Sequence, residues 1–227
     1  MKAAHSEANR GQTRLDGNRK IPSFSCLDHR LKFAAPESEL GSIGQTQIIC
    51  EDSEMTSDLV LRELTAQDET SFLEGLATWP EEDRIWHSFE WLPEMKFSEL
   101  LEGLQKNKLG FDIPAHFVPS TMLYGFKGTQ IIGRVHLRHL LNENLLHRGG
   151  HIGYAVAPPF RRFGYANQLL GQALPIVRSL GISRALLTCD DDNKGSWKVI
   201  ERWGGSLEDK RWDDEDKTLF RRYWIQL

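Results

Sequence analysis

The stretch that decides the fold runs Gly149-Gly150-His151-Ile152-Gly153-Tyr154-Ala155-Val156-Ala157-Pro158-Pro159-Phe160-Arg161-Arg162-Phe163-Gly164-Tyr165-Ala166-Asn167-Gln168-Leu169-Leu170. It opens as a strand, His151 to Val156, and breaks at Pro158-Pro159. It resumes as a helix from about Tyr165 to Leu180, with Gly181 as C-cap. A helix N-terminus leaves about four amides unbonded and carries roughly half a positive charge. A loop that turns its amides inward ahead of such a terminus binds a phosphate or pyrophosphate. Gly164 permits close backbone approach, Ala166 keeps the next position small, and Arg161 and Arg162 add positive charge. The loop lacks the Gly-Lys-Ser/Thr of a Walker loop and two glycines of a dinucleotide fingerprint. An ordinary strand-to-helix turn with an incidental glycine has the same local pattern, so the loop alone leaves both readings open.

Working outward, Leu59 to Leu64 reads as a first strand. Thr65 N-caps the next helix, with Asp68 three residues on. That helix carries Phe72, Leu73 and Leu76 at helical spacing. Trp79 to Trp91 is irregular, rich in Trp and acid. A second helix spans Phe97 to about Lys106. Strands follow at Thr121 to Phe126 and Ile131 to Leu137, joined by a turn at Gly128. A connection containing Asn142-Glu143-Asn144 leads to the His151 strand. Beyond the Tyr165 helix, Arg184 to Cys189 is a near-continuous apolar run typical of a buried strand. A helix from Gly195 to about Trp203 and two strands, Leu207 to Trp212 and Thr218 to Ile225, close the chain. The order β-α-α-β-β-β-α-β-α-β-β predicts an α/β fold on a mixed central sheet of about six to seven strands flanked by about four helices.

The first 57 residues read differently. Between Met1 and Glu54 the only aromatics are Phe24 and Phe33, and no period of 2 or 3.6 is sustained. Such a segment buries too little apolar area to offset its ordering entropy. It reads as a disordered leader ahead of one domain at 58–227. Met55, just before the first patterned strand, offers an alternative natural start. A transit peptide would use Arg10, Arg14, Arg19 and Lys20, but Glu7 and Asp16 oppose it.

Composition narrows the function. The 227 residues carry 28 Lys plus Arg against 32 Asp plus Glu, a formal charge of -4, which argues against a basic nucleic-acid binder. No apolar run approaches the roughly 20 residues that span a bilayer. Three cysteines, Cys26, Cys50 and Cys189, with no Cys-x-x-Cys pair, argue against a disulfide framework and for a reducing, cytoplasmic setting.

Arg161-x-x-Gly164-x-Ala166 resembles the Gln/Arg-x-x-Gly-x-Gly/Ala motif of the Gcn5-related N-acetyltransferases (GNAT). Val156-x-Pro158 before it and Leu169-Leu170 after it stand where that family has them. Asn193-x-x-Ser196, followed by Val199-Ile200-Glu201 and Gly204-Gly205, resembles the family's second block. Gly149 to Tyr154 resembles small bacterial predicted acetyltransferases. The resemblance covers roughly Leu59 to Leu227 and implies the GNAT acyl-CoA N-acyltransferase fold with acetyl-CoA as co-substrate. It implies that the backbone of Tyr154, Ala155 and Val156 bonds the pantetheine arm. The amides of Arg162, Phe163, Gly164, Tyr165, Ala166 and Asn167 would hold the pyrophosphate, and Asn193 and, more weakly, Ser196 the pantetheine. The expected partners are acetyl-CoA and an amine acceptor, with no metal, nucleic acid or membrane; a homodimer is compatible.

Two departures stand out. The Tyr that many members place seven residues after the Asn is Ile200 here. The Glu that some place five residues before it is Thr188. The base is therefore sought elsewhere. A primary amine near pKa 10 is about one thousandth neutral at pH 7, a handicap of roughly 4 kcal/mol. His151, where relatives have a Glu, has a suitable pKa, though a structural histidine bonded to a backbone carbonyl would look the same. Glu143 is the second candidate. His136 and His139, three apart on or near a strand, face opposite ways, against a joint metal site. The acidic runs Asp190 to Asp192 and Asp213 to Asp216 read as a lure for a cationic amine or as solvated turns. Trp79, Trp86 and Trp91 read as walls of an acceptor pocket or as core. The leading reading is acetyl transfer from acetyl-CoA to a primary amine of a small molecule or peptide. The alternative is a GNAT-fold acyl-CoA sensor or scaffold with little catalysis.

Overall fold

A computed structural model describes residues 59–89, 91–214 and 216–227. The leader reading falls outside the described residues.

The elements follow the expected order with two short helices added. Strand β1 (Leu59–Arg62) leads to α1 (Glu69–Ala77), α2 (Ile85–Ser88) and α3 (Phe97–Leu109). Strands β2 (Ser120–Lys127) and β3 (Gln130–Arg138) form the hairpin, and α4 (Glu143–His147) interrupts the connection to β4 (Ile152–Val156). Then come α5 (Tyr165–Ser179), β5 (Arg184–Asp190), α6 (Lys194–Arg202), β6 (Ser206–Asp213) and β7 (Thr218–Gln226). Neither α2 nor α4 is long enough for periodicity to reveal it. Asn142 marks α4 nonetheless, its Oδ1 accepting the Leu145 amide at 2.9 Å as an N-cap. At the start of the domain, Asp68 takes the Thr65 amide at 2.7 Å and both guanidinium nitrogens of Arg62 at 2.7 and 2.8 Å. This holds its carboxyl down at about 2, the Arg62 bond being the main cause.

Among the described residues, seven strands form two antiparallel groups, β1-β2-β3-β4 and β5-β7-β6. Side chains alternate across them. Leu123, Val135, Leu137 and Ile152 pack with Leu169, Leu170 and Ala173 of α5. Met122, Tyr124 and Phe126 point the other way, into a second core with Phe72 of α1 and Phe97 and Leu100 of α3. Opposite Gly125 and Phe126 the register shifts by one residue of β3, Ile132, which turns Ile131 into that second core beside Phe126.

The two groups meet through one bridge, Gly150↔Leu187. Gly150 has φ +67, and a Cβ there would lie 2.2 Å from the Leu186 carbonyl oxygen. The seam therefore demands glycine. Beyond it, β4 and β5 share no ladder among the described residues, which leaves one edge of β4 open.

Candidate functional site

The open edge can be assigned atom by atom. Strands β3 and β4 pair without a break from Gly133↔Val156 to Leu137↔Ile152. The Ala157 amide donates to Ile132 O at 2.9 Å and the Arg138 amide to His151 O at 2.8 Å, which fixes the phase. Hydrogen-bonded and non-bonded pairs alternate in such a ladder. Gly153 and Ala155 therefore spend their backbone groups on β3, whereas Ile152, Tyr154 and Val156 turn theirs to the gap. Of the three residues expected to meet pantetheine, Ala155 faces away. The carbonyl of Val156 is already engaged by Arg161 Nε at 3.2 Å.

The loop after β4 delivers its amides to the mouth of this gap. Gly164 N-caps α5 at φ +81, and a Cβ there would meet nothing within 4 Å. Phe163, Gly164, Tyr165 and Ala166 have amides without a protein partner among the described residues. The Asn167 amide differs from expectation, because it donates to Gly164 O at 3.0 Å. Arg162 has φ +72, so this turn holds two consecutive-but-one residues in the left-handed region. Such a turn aims successive amides into one concavity, the arrangement that suits an anion.

Across the gap, α6 supplies Asn193 and Ser196. Asn193 Oδ1 accepts the Ser196 amide at 3.0 Å, which leaves its Nδ2 as a donor with no partner among the described residues. The Tyr154 hydroxyl bonds Ser196 O at 3.1 Å and Ser196 Oγ at 3.0 Å. Burial pushes the Tyr154 phenol above its ordinary range. Tyr154, Asn193 and Ser196 are thus brought together at one end of the gap.

His151 is placed differently from a free base. Its amide donates to Leu186 O at 2.7 Å, and its ring Nδ1 accepts the Leu186 amide at 2.9 Å. A backbone N–H can only donate, so Nδ1 holds a lone pair and the neutral ring carries its proton on Nε2. Desolvation first, and Arg138 second, lower its pKa. In this arrangement Nε2 is a donor, and Nδ1 can take a proton only by giving up Leu186. The ring acts as a latch across the seam, bonded to a backbone amide rather than a carbonyl. Glu143 is exposed at the first turn of α4. Neither departure position supplies the missing groups. Thr188 Oγ1 is spent on the Gly149 amide at 2.9 Å, and Ile200 is sealed in the core.

The acidic runs are neither lure nor solvated turn throughout. Asp190 is buried against Arg148 at 2.8 Å, which also meets Asp213 at 2.6 Å and Asp216 at 3.2 Å. Asp191 pairs with Lys210 and Arg221. Burial raises Asp190 to about 6 in spite of Arg148. Trp79 is buried and Trp91 edges onto Phe72 at 5.8 Å, so both are core contacts. Trp86 offers its carbonyl to Arg134.

Sequence reasoning missed a row of buried bases. Arg134, His136 and Arg138 alternate along one face of β3, the face opposite α5, and all three are buried. Arg134 reaches the carbonyls of Ile85 and Trp86; Arg138 Nη1 reaches those of Gly149 and Gly150 at 3.2 and 3.1 Å. Burial lowers both guanidinium pKa values to about 10 and drives His136 well below its usual value. The signal was available as three bases at i, i+2 and i+4 in a strand, where a core face should be apolar.

Comparison with known proteins agrees with this geometry. A family model described as Acetyltransferase (GNAT) domain matches residues 58–206. No curated protein matches the sequence. Among solved structures, RimL, a ribosomal L7/L12 alpha-N-protein acetyltransferase in complex with coenzyme A, is 18% identical with TM-score 0.51, covering 76% of this chain and 96% of that one. A GNAT-family acetyltransferase from Streptococcus pneumoniae is 16% identical with TM-score 0.51, covering 74% and 99%. Salmonella typhimurium yncA, solved with its cofactor acetyl-CoA, is 11% identical with TM-score 0.51, covering 75% and 94%. At these identities the structures speak for the fold, and the family match covers well over half of the chain. The open strand edge, the amide-rich turn and the second-block Asn lie within a chain that belongs to the GNAT acetyltransferase family.

Proposed function

We propose that this enzyme binds acetyl-CoA along the β4 edge and transfers the acetyl group to a primary amine of a small molecule or peptide. The observation that carries the reading is the coincidence of three unspent donor sets on one path. These are the Phe163 to Ala166 amides, the gap-facing amides of Tyr154 and Val156, and Asn193 Nδ2, all without a partner among the described residues. The turn fits a pyrophosphate, the strand edge fits a pantetheine arm laid down as an added strand, and Asn193 fits one of its amides. When bound, acetyl-CoA supplies the activated thioester.

The chain's own part is to hold that thioester in the gap and admit the amine from the opposite face. The ammonium proton must depart first; the neutral amine then attacks the carbonyl, the carbon–sulfur bond breaks, and the proton shed by the nitrogen as the amide forms neutralises the departing thiolate. With His151 Nδ1 committed to Leu186, that proton passes to solvent through the open gap, and positioning is the protein's main contribution. The sensor reading finds support in Ile200 and Thr188, which leave no acid or base at those family positions. A free-thiol assay over an amine panel separates the two: turnover supports the enzyme, and binding of acetyl-CoA without turnover supports the sensor.

A further inference from the structure

The donor path lies on the α5 side of the β1–β4 sheet, so an amine must approach from the other side. That side carries Arg134, His136 and Arg138. Buried charges are normally paired with an opposite charge, yet neither arginine has a carboxylate partner among the described residues. Asp190, Asp213 and Asp216 are committed to Arg148 and Glu208 to Arg222. Arg138 spends only Nη1, on the Gly149 and Gly150 carbonyls. Its Nε–Nη2 edge has no partner among the described residues, and this is the edge that grips a carboxylate with two parallel bonds. Directly across the ladder, the Nε2–H of His151 is a second donor without a partner among the described residues. His136 Nε2, on the same face, is sealed and has no partner among the described residues.

We propose that the acceptor amine carries a carboxylate, bound side-on by Arg138 and assisted by the His151 Nε2–H. The three-base row then has its missing anion, and the acceptor has an anchor that fixes the amine relative to the thioester. The acceptor class is amino acids and molecules ending in a free carboxylate, rather than polyamines, for which this face offers no unspent acid among the described residues. The inference rests on the acetyl-transfer reading, and its test separates the two.

The test compares matched acceptors, β-alanine and 4-aminobutyrate against their primary amides, by thiol release from acetyl-CoA. The carboxylates should exceed the amides at least tenfold in kcat/KM. Arg138→Gln should bring that ratio close to one, mainly through KM, with acetyl-CoA affinity unchanged. Arg138→Lys should not restore it, because a point charge cannot make the paired bonds. If Arg138→Gln does not fold, the wild-type ratio decides by itself. Equal or better rates with the amides overturn the proposal and leave acetyl transfer standing. Absence of turnover with every amine overturns the transfer reading instead. Calorimetry of N-acetyl-β-alanine against its amide, on the coenzyme A complex, then decides the carboxylate site: selective binding supports it, and none overturns it.

Discussion

The His151 ring accepts the Leu186 amide at 2.9 Å, so a side chain closes the seam between the two strand groups where a backbone ladder would otherwise run. The same bond sets the tautomer of the ring. It turns the residue that sequence singles out as a base into a fixed donor on the face of Arg138.

His151→Ala should therefore cost stability more than chemistry. It leaves the Leu186 amide buried without a partner, a loss of about 1–3 kcal/mol. Thermal unfolding should show it. The pH dependence of kcat/KM between about 6 and 8 should keep its shape in a folded variant. A flattened limb with a hundredfold loss of rate and unchanged stability would restore His151 as the base.

Gly150→Ala should be among the most damaging small substitutions. The added Cβ meets the Leu186 carbonyl oxygen at 2.2 Å at a φ of +67 that disfavours side chains. A loss of at least about 3 kcal/mol is expected from overpacking with backbone strain. Denaturant unfolding checks this; a variant within 1 kcal/mol of wild type, on the order of a surface substitution, would mean the seam is looser than described.

The Arg62–Asp68 pair gives an acid signature. Asp68 is depressed to about 2 in the folded state from an ordinary 3.8. A depressed carboxylate stabilises above its unfolded value and loses that contribution as pH falls through the folded one. Stability should drop by about 1–2 kcal/mol between pH 4 and pH 2, the partial exposure of Arg62 reducing the full linkage value. In Asp68→Asn this part of the drop should vanish. An identical acid profile in the variant would assign the loss to other carboxylates.

Gly164→Val tests the turn with little disturbance of the fold, since its Cβ meets no protein atom. The φ of +81 adds a strain of roughly 1–2 kcal/mol. Acetyl-CoA affinity should fall at least tenfold, about 1.4 kcal/mol, because the branched side chain stands where the pyrophosphate must approach. Unchanged affinity in calorimetry would move the binding site away from this loop.

The long elements were legible because periodicity and caps agree. Tyr165 to Ser179, the hairpin at Gly128 and the two closing strands fall within a few residues of their sequence boundaries. Helices α2 and α4, at four and five residues, are shorter than any window that reveals a helical period. The amide-rich turn was legible from Gly164 and Ala166. The fate of each amide was not, because ladder phase decides that Ala155 faces β3 and helix closure decides that Asn167 is spent. Asp190 read as part of a polar turn, since nothing local says that Arg148, 42 residues away, covers it. His151 illustrates the same limit: its chemistry was visible, but its tautomer depends on Leu186, a partner 35 residues on.

The most direct measurement is thiol release from acetyl-CoA in the presence of a panel of primary amines, with the acetylated product identified by mass spectrometry. The account predicts amine-dependent release, one N-acetyl group per thiol, and loss of the signal at limiting acetyl-CoA in Gly164→Val. Acetyl-CoA binding with no amine-dependent release across the panel would contradict it and favour an acyl-CoA sensor.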